Sequence, residues 1–267
     1  MSLYQVQNQW GGSSAPWNQG GKWVIGTRSG QNPVALNVTS SDGGKTLMGT
    51  MTYAGEGPIG FEGGIQGSNN YEVENQWGGA SAEWHAGGIF VLGYREDQNV
   101  VAIDITSPDG GKTMAGTMTY AGEGPIGFMG TLADGGAYTV ENQWGGASAP
   151  WNMGGTWAMG CRSGQNVVAV NITSPDGGKT MTGTMTYANE GPIGFRGTLQ
   201  GSNNYEVQNQ WGGSSAPWNP GGLWIIGFRA NQNVVALDIT SSDGGKTLMG
   251  TMTYANEGPI GFKGTMQ

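Results

Sequence analysis

One cysteine and one histidine are the chain's whole supply of thiol and imidazole. Cys161 has no internal partner, so no intramolecular disulfide can form, which fits a reducing compartment. His85 occurs once, leaving neither a repeated Ser/His/Asp triad nor a His-rich metal site. Cations are scarce as well: Lys and Arg number 11 against 19 Asp and Glu, the net charge is −8, and the basic residues are thinly spread. That distribution argues against a phosphate backbone as partner, and no nucleic acid is expected. No apolar run approaches the ~18 residues of a membrane-spanning helix, so no membrane insertion is expected. The N-terminal Met1-Ser2-Leu3-Tyr4-Gln5 has neither the basic nor the apolar segment of a secretory leader. The expected location is cytoplasmic, or outside the cell after release without a signal peptide.

Room for helices is missing too. Gly supplies 53 of the 267 residues, and the longest Gly-free run, 94–109, is rich in strand-favouring Val, Ile and Thr. No G-X-Y register orders the glycines, which excludes collagen. An aromatic content of 10% is too high for a chain that stays disordered. The chain reads as all-β.

What is abundant is repetition. Asn-Gln-Trp-Gly recurs with its Trp at 10, 77, 144 and 211, always 67 residues apart. The same offset carries Arg28 to Arg95, Arg162 and Arg229, Asp42 to Asp109, Asp176 and Asp243, and Glu56 to Glu123, Glu190 and Glu257. The copies are 1–67, 68–134, 135–201 and 202–267, without insertion or deletion. They have drifted: Trp23 becomes Phe90, Pro16 becomes Glu83, Asn18 becomes His85, and Thr27 becomes Tyr94, Cys161 and Phe228.

One copy reads as five short strands at 3–9, 22–28, 34–39, 46–53 and 59 to about 66. A twelve-residue Gly/Ser/Pro loop separates the first two, and Ser-Asp-Gly-Gly marks a tight turn before the fourth. Five such strands can neither hide their edges nor fill a core. Two copies closing together predict two tandem ten-stranded antiparallel β-barrels, residues 1–134 and 135–267, each of ordinary domain size. Counting antiparallel strands then assigns every loop to one barrel end. The odd number of strands turns each second copy upside down, so each end combines the Trp-Gly-Gly loop of one copy with the Arg and Glu of another. Adjacent copies are the simpler pairing.

Four of the five Arg and four of the eleven Glu occupy repeated positions in a chain poor in charge. They read either as structural ion pairs or as parts of a carbohydrate site. Guanidinium and carboxylate can each engage two neighbouring hydroxyls, and Trp10 offers a flat apolar face to a sugar ring. Gly11, Gly12 and Gly57 would let a ligand reach the backbone. Trp17, Trp84, Trp151 and Trp218 read as packing the long loop onto the barrel or as ligand contacts. Trp23, Trp157, Trp224 and Phe90 read as core, and Tyr53 and Phe61 as packing. Asp42-Gly43-Gly44-Lys45 has one carboxylate where a calcium site wants several oxygens, and reads as a turn. A glycosidase needs two carboxylates per site; Glu123 and Asp42 share a barrel end and keep that alternative open. A protein that binds another protein through its barrel ends is a third.

The repeated Asn-Gln-Trp-Gly-Gly-x-x-Ala-Pro-Trp, Gln-Asn-Val-Val-Ala and Gly-Thr-Met-Thr-Tyr-Ala-x-Glu-Gly-Pro-Ile-Gly-Phe closely resemble the Oscillatoria agardhii agglutinin family of high-mannose-binding lectins, in its four-repeat form. The resemblance covers all four copies. It implies a non-enzymatic, tetravalent agglutinin without cofactor or metal, which recognises the branched mannose core of high-mannose N-glycans and crosslinks glycoproteins, viral envelope glycoproteins among them. Four internal sites make oligomerisation unnecessary for crosslinking, and a monomer is expected. Carried over by motif, one site is Trp10, Gly11 and Gly12 with Arg95, Glu123 and Gly124. Its mate is Trp77, Gly78 and Gly79 with Arg28, Glu56 and Gly57. The second barrel has Trp144, Gly145 and Gly146 with Arg229, Glu257 and Gly258, and Trp211, Gly212 and Gly213 with Arg162, Glu190 and Gly191. Departures are Glu83 and His85 in the second copy, Asn189 and Asn256 in place of Gly before Glu, and Pro33 in place of Val.

Overall fold

Period-two alternation of apolar and polar residues gives strands whose inward positions are almost fully buried, and the first repeat sets the pattern. In a computed structural model, residues 1–266 apart from 68, 96, 134, 135, 147, 163 and 202 are described. The expected copy boundaries at 68, 134, 135, 202 and 267 lie outside the described residues. The chain divides into two units, Met1–Ala133 and Asp134–Gln267. Among the described residues all regular structure is strand.

The first unit contains β1 (Leu3–Gln9), β2 (Trp17–Val24), β3 (Pro33–Thr39), β4 (Thr46–Tyr53), β5 (Ile59–Gly67), β6 (Asn70–Gln76), β7 (Trp84–Val91), β8 (Val100–Thr106), β9 (Thr113–Tyr120) and β10 (Ile126–Leu132). They close into one antiparallel barrel in the order β1-β10-β9-β8-β3-β4-β5-β6-β7-β2. The first hairpin is therefore stitched onto the second repeat, with Tyr4 opposite Leu132 and Gln9 opposite Gly127. Closure leaves no free sheet edge. The seam between β2 and β7 is its thinnest part, one register pair, Val24 with Val91.

The second unit repeats the plan with β11 (Gly136–Gln143), β12 (Trp151–Met159), β13 (Val167–Thr173), β14 (Thr180–Tyr187), β15 (Ile193–Gly201), β16 (Asn204–Gln210), β17 (Trp218–Ile225), β18 (Val234–Thr240), β19 (Thr247–Tyr254) and β20 (Ile260–Met266). Each barrel encloses its own core. Trp23, Trp157 and Trp224 are fully buried, as expected, and meet Phe128, Phe262 and Phe195 edge to face at 5.1–5.2 Å. Phe90, in the place of Trp, leaves a slightly longer 5.7 Å contact with Phe61.

The second strand departs from expectation. It begins at Trp17 and ends at Val24, so the twelve-residue loop shrinks to 10–16 and Arg28 leaves the strand for the loop that follows. The reason is the Gly20-Gly21 pair. The register against β1 jumps between Val6 and Gln7, and Gly21 has φ +86°. A Cβ on Gly20 would lie 2.5 Å from the Asn8 carboxamide oxygen. The glycines form a β-bulge inside the strand that a reading by composition takes for loop.

The Asp42 loop is the turn expected. The carboxylate accepts the backbone N–H groups of Lys45 and Thr46 at 3.0 and 2.9 Å and the Ser40 hydroxyl at 2.8 Å. These bonds pull its pKa down to about 2, the Thr46 backbone bond foremost.

Candidate functional site

Each residue of Asn-Gln-Trp-Gly-Gly has a separate task at the barrel rim. Asn8 is buried and donates to Met118 Sδ at 3.2 Å and to the Gly127 carbonyl at 3.4 Å, anchoring the end of β1 to the neighbouring repeat. Gln9 reaches forward and donates to the Ala15 carbonyl at 2.6 Å, holding the loop closed. Gly11 and Gly12 turn the chain with φ +90° and +91°, a conformation that a side chain would strain. Trp10 is left half-buried against the core at the rim.

Onto that ring comes an arginine from the other repeat. The Arg95 guanidinium carbon lies 5.2 Å over the Trp10 ring, and Arg28 lies 4.9 Å over Trp77. In the second barrel Arg229 lies 5.1 Å over Trp144, and Arg162 4.9 Å over Trp211. Each of these four arginines is also stacked at 4.3–4.4 Å on a tyrosine, Tyr53, Tyr120, Tyr187 or Tyr254. Each guanidinium is thus held between two aromatic rings, in contacts worth ~0.5–2 kcal/mol apiece. Burial pushes the Tyr120 and Tyr254 hydroxyls up to about 12, which keeps them neutral.

The same arginines pair with the repeated glutamates. Arg28 bonds both oxygens of Glu56 at 2.8 and 2.7 Å, and Arg95, Arg162 and Arg229 bond Glu123, Glu190 and Glu257. A third group completes each pair: Gln31, Gln98, Gln165 and Gln232 donate to the four carboxylates at 2.9–3.2 Å. These bonds hold all four carboxyls below their ordinary value, with the glutamine first for Glu56, Glu190 and Glu257 and the arginine first for Glu123. The side chains are about one-quarter to one-third exposed, so pairing leaves part of each open to a ligand.

The structure therefore brings Trp10 together with Arg95 and Glu123, and Trp77 with Arg28 and Glu56; in the second barrel it joins Trp144 with Arg229 and Glu257, and Trp211 with Arg162 and Glu190. Gly57, Gly124, Gly191 and Gly258 follow the glutamates, and a Cβ on any of them would meet nothing within 4 Å. Gly12, Gly79, Gly146 and Gly213 are equally open. Gly11, Gly78, Gly145 and Gly212 would touch only the Ala four residues on, at 3.6–3.7 Å. Asn189 and Asn256 adopt φ +65° and +66°, the left-handed conformation of Gly55 and Gly122 at the same position, so these replacements preserve the loop.

Two members of the cluster are absent from the reading of the sequence. The glutamine three residues after each arginine repeats at the same 67-residue offset but carries no charge. Tyr53 and its equivalents are buried, as expected of packing residues, while the same ring supports the guanidinium. Trp17, Trp84, Trp151 and Trp218 open their strands on the barrel wall. Their rings lie over glycines of the other copy in the same barrel, Trp17 over Gly127, Trp84 over Gly60, Trp151 over Gly261 and Trp218 over Gly194, which is a packing role. The carboxylate of Asp42, required by the glycosidase alternative, is engaged by its own turn.

Known proteins resemble this chain over its whole length. The OAA-family lectin sugar binding domain matches the chain four times, at 2–66, 69–133, 136–200 and 203–267. Lectin SfL-1 of Solieria filiformis is 69% identical over 98% of both chains. The crystal structure of the Myxococcus xanthus hemagglutinin in complex with a3,a6-mannopentaose superposes with a TM-score of 0.97 at 64% identity, covering 100% of each chain. That of the Burkholderia oklahomensis agglutinin gives 0.96 at 65% identity over 99% of this chain and 95% of its own.

Proposed function

From a chain that belongs to the OAA family of lectins, we infer a tetravalent agglutinin whose four barrel-end clusters each bind the branched mannose core of high-mannose N-glycans. The observation that carries this reading is the cluster itself: an arginine held between two rings, its carboxylate partner and an open glycine backbone, assembled four times from pairs of repeats. The sugar's C–H face packs on the tryptophan, as apolar faces of polar ligands do on aromatic rings. Its hydroxyls accept from the guanidinium and from backbone N–H groups and donate to the glutamate. The mannopentaose held by the M. xanthus hemagglutinin supports mannose as the sugar.

Recognition proceeds without metal, because guanidinium, carboxylate and backbone supply the hydroxyl contacts directly. The protein binds and releases its ligand unchanged. The two clusters of a barrel occupy opposite ends, so they engage separate glycans and crosslink glycoproteins, including viral envelope glycoproteins rich in high-mannose glycans. Beads coated with a high-mannose glycoprotein test this. In EDTA the protein clumps them, and clumping disappears when the glycans are enzymatically removed; clumping that survives deglycosylation indicates a protein partner instead.

A further inference from the structure

On the outer wall of the second barrel, β15 and β16 place Arg196 opposite Gln208 and Thr198 opposite Glu206. The four side chains line an open groove of about 250 Å³. The Arg196 guanidinium lies 4.9 Å over the Trp218 ring and donates to the Gln208 side-chain oxygen. An arginine on a tryptophan at this distance, with an amide and a carboxylate alongside, is the side-chain set of the barrel-end clusters.

The set occurs in one copy. The position of Arg196 is Glu62, Met129 and Lys263 elsewhere, and that of Gln208 is Gln7, Glu74 and Glu141. In the first barrel the equivalent groove, about 270 Å³, is lined by Glu62, Gly64, Gln66, Glu72 and Glu74, three carboxylates without a cation. In the fourth copy Lys263 pairs with Glu141 at 2.5 Å. Among the described residues of the barrel walls, away from the barrel ends, this combination of aromatic ring, guanidinium, amide and carboxylate is found on β15–β16.

We propose that the groove lined by Arg196, Thr198, Glu206 and Gln208, with Trp218 under the Arg196 guanidinium, is a fifth carbohydrate site, separate from the four barrel-end clusters, that takes one ring of a neutral glycan. Arg196 and Glu206 offset each other's charge, which favours an uncharged polyhydroxyl ligand over a phosphate or sulfate. Hydroxyls accept from Arg196 and the Gln208 amide and donate to Glu206, while the ring's apolar edge lies along Trp218. The groove is open, so affinity is millimolar and matters through valency on a dense glycan surface.

Nitrogen-15 spectra of the full chain, titrated with branched mannopentaose, read the Trp218 indole separately from those of Trp144 and Trp211. The Trp218 signal moves saturably at millimolar sugar, and in Arg196→Glu, which installs the residue of the first copy at an exposed position, its affinity falls about tenfold or more with Trp144 and Trp211 unaffected. A Trp218 signal that stays still while Trp144 and Trp211 move overturns the wall site and leaves the barrel-end reading standing. A Trp218 shift unchanged in Arg196→Glu overturns it as well. Movement of Trp218 alone, abolished by Arg196→Glu, supports the wall site and removes the barrel-end reading.

Discussion

Arg95 belongs to the second repeat and Trp10 to the first, yet the guanidinium carbon of one lies 5.2 Å over the ring of the other. Since Gln98 and Glu123 accompany Arg95, each barrel end is completed only when two repeats close together. A single copy holds the parts of two half-sites at opposite ends, and duplication is a condition for the site.

Arg95→Ala removes one cluster of four. Loss of a charged hydrogen-bonding group reduces affinity at that site about ten- to a hundredfold. Calorimetric stoichiometry therefore falls from four to three, with the far-ultraviolet spectrum unchanged. Loss of all four sites would show that the clusters are not independent.

Gln31 positions Glu56 and is the first cause of its lowered pKa. In Gln31→Ala the Glu56 titration, followed by carboxyl NMR, shifts upward towards the ordinary 4.5 while Glu190 keeps its own value. An unmoved Glu56 would assign its ionisation to Arg28 alone.

The four glutamates predict a direction for pH dependence. Their carboxyls are lowered in the folded protein, so the stabilisation of each cluster is fully present above the ordinary value of 4.5 and is lost as pH falls through the lowered one. Sugar affinity should be flat from neutrality down to 4.5 and decline only below it. A midpoint above 4.5, in a binding titration against pH, would contradict the assignment.

Two glycines separate binding from folding. Gly124→Ala places a methyl group where no protein atom lies within 4 Å, so it intrudes on the ligand and weakens the Trp10 site with the melting temperature preserved. Gly20→Ala drives its Cβ to 2.5 Å from the Asn8 side chain, and overpacking of this kind costs ~1–3 kcal/mol of stability. Thermal melts and titrations of the two variants should show opposite losses.

The Trp77 site should differ from its three counterparts. His85 packs its ring 5.2 Å from Trp77, whereas Asn18, Asn152 and Asn219 fold back to donate to the carbonyls of Pro16, Pro150 and Pro217 at 3.1 Å. Restoring the majority residues with the pair Glu83→Pro and His85→Asn brings the affinity of this site, read from the Trp77 indole, to that of the Trp10 site. Equal affinities before the change would show that the ring contact carries no weight.

Much of this was legible because the 67-residue register ties each position to three others. Strand parity puts the Trp10 loop at one end with the Arg and Glu of another copy, Arg95 and Glu123 or Arg229 and Glu257, and the closure of adjacent copies into one barrel makes them Arg95 and Glu123. What escaped has local causes. Gly20-Gly21 has the composition of a loop but serves as a bulge, because the backbone must clear Asn8. Gln31 and its equivalents are uncharged and stand beside a conspicuous arginine, and only the folded loop turns their amides onto Glu56 and its counterparts. Tyr53 is both core and platform, a double role that burial patterning cannot express.

The central claim is that four clusters, each built by two repeats, bind branched mannose independently. Calorimetric titration of the full chain with mannopentaose in EDTA, with linear mannobiose as control, tests it most directly. The account predicts saturable binding of four branched ligands per chain without metal. Two per chain would mean that half the clusters are inactive, and no binding, confirmed by a second method, would contradict the account.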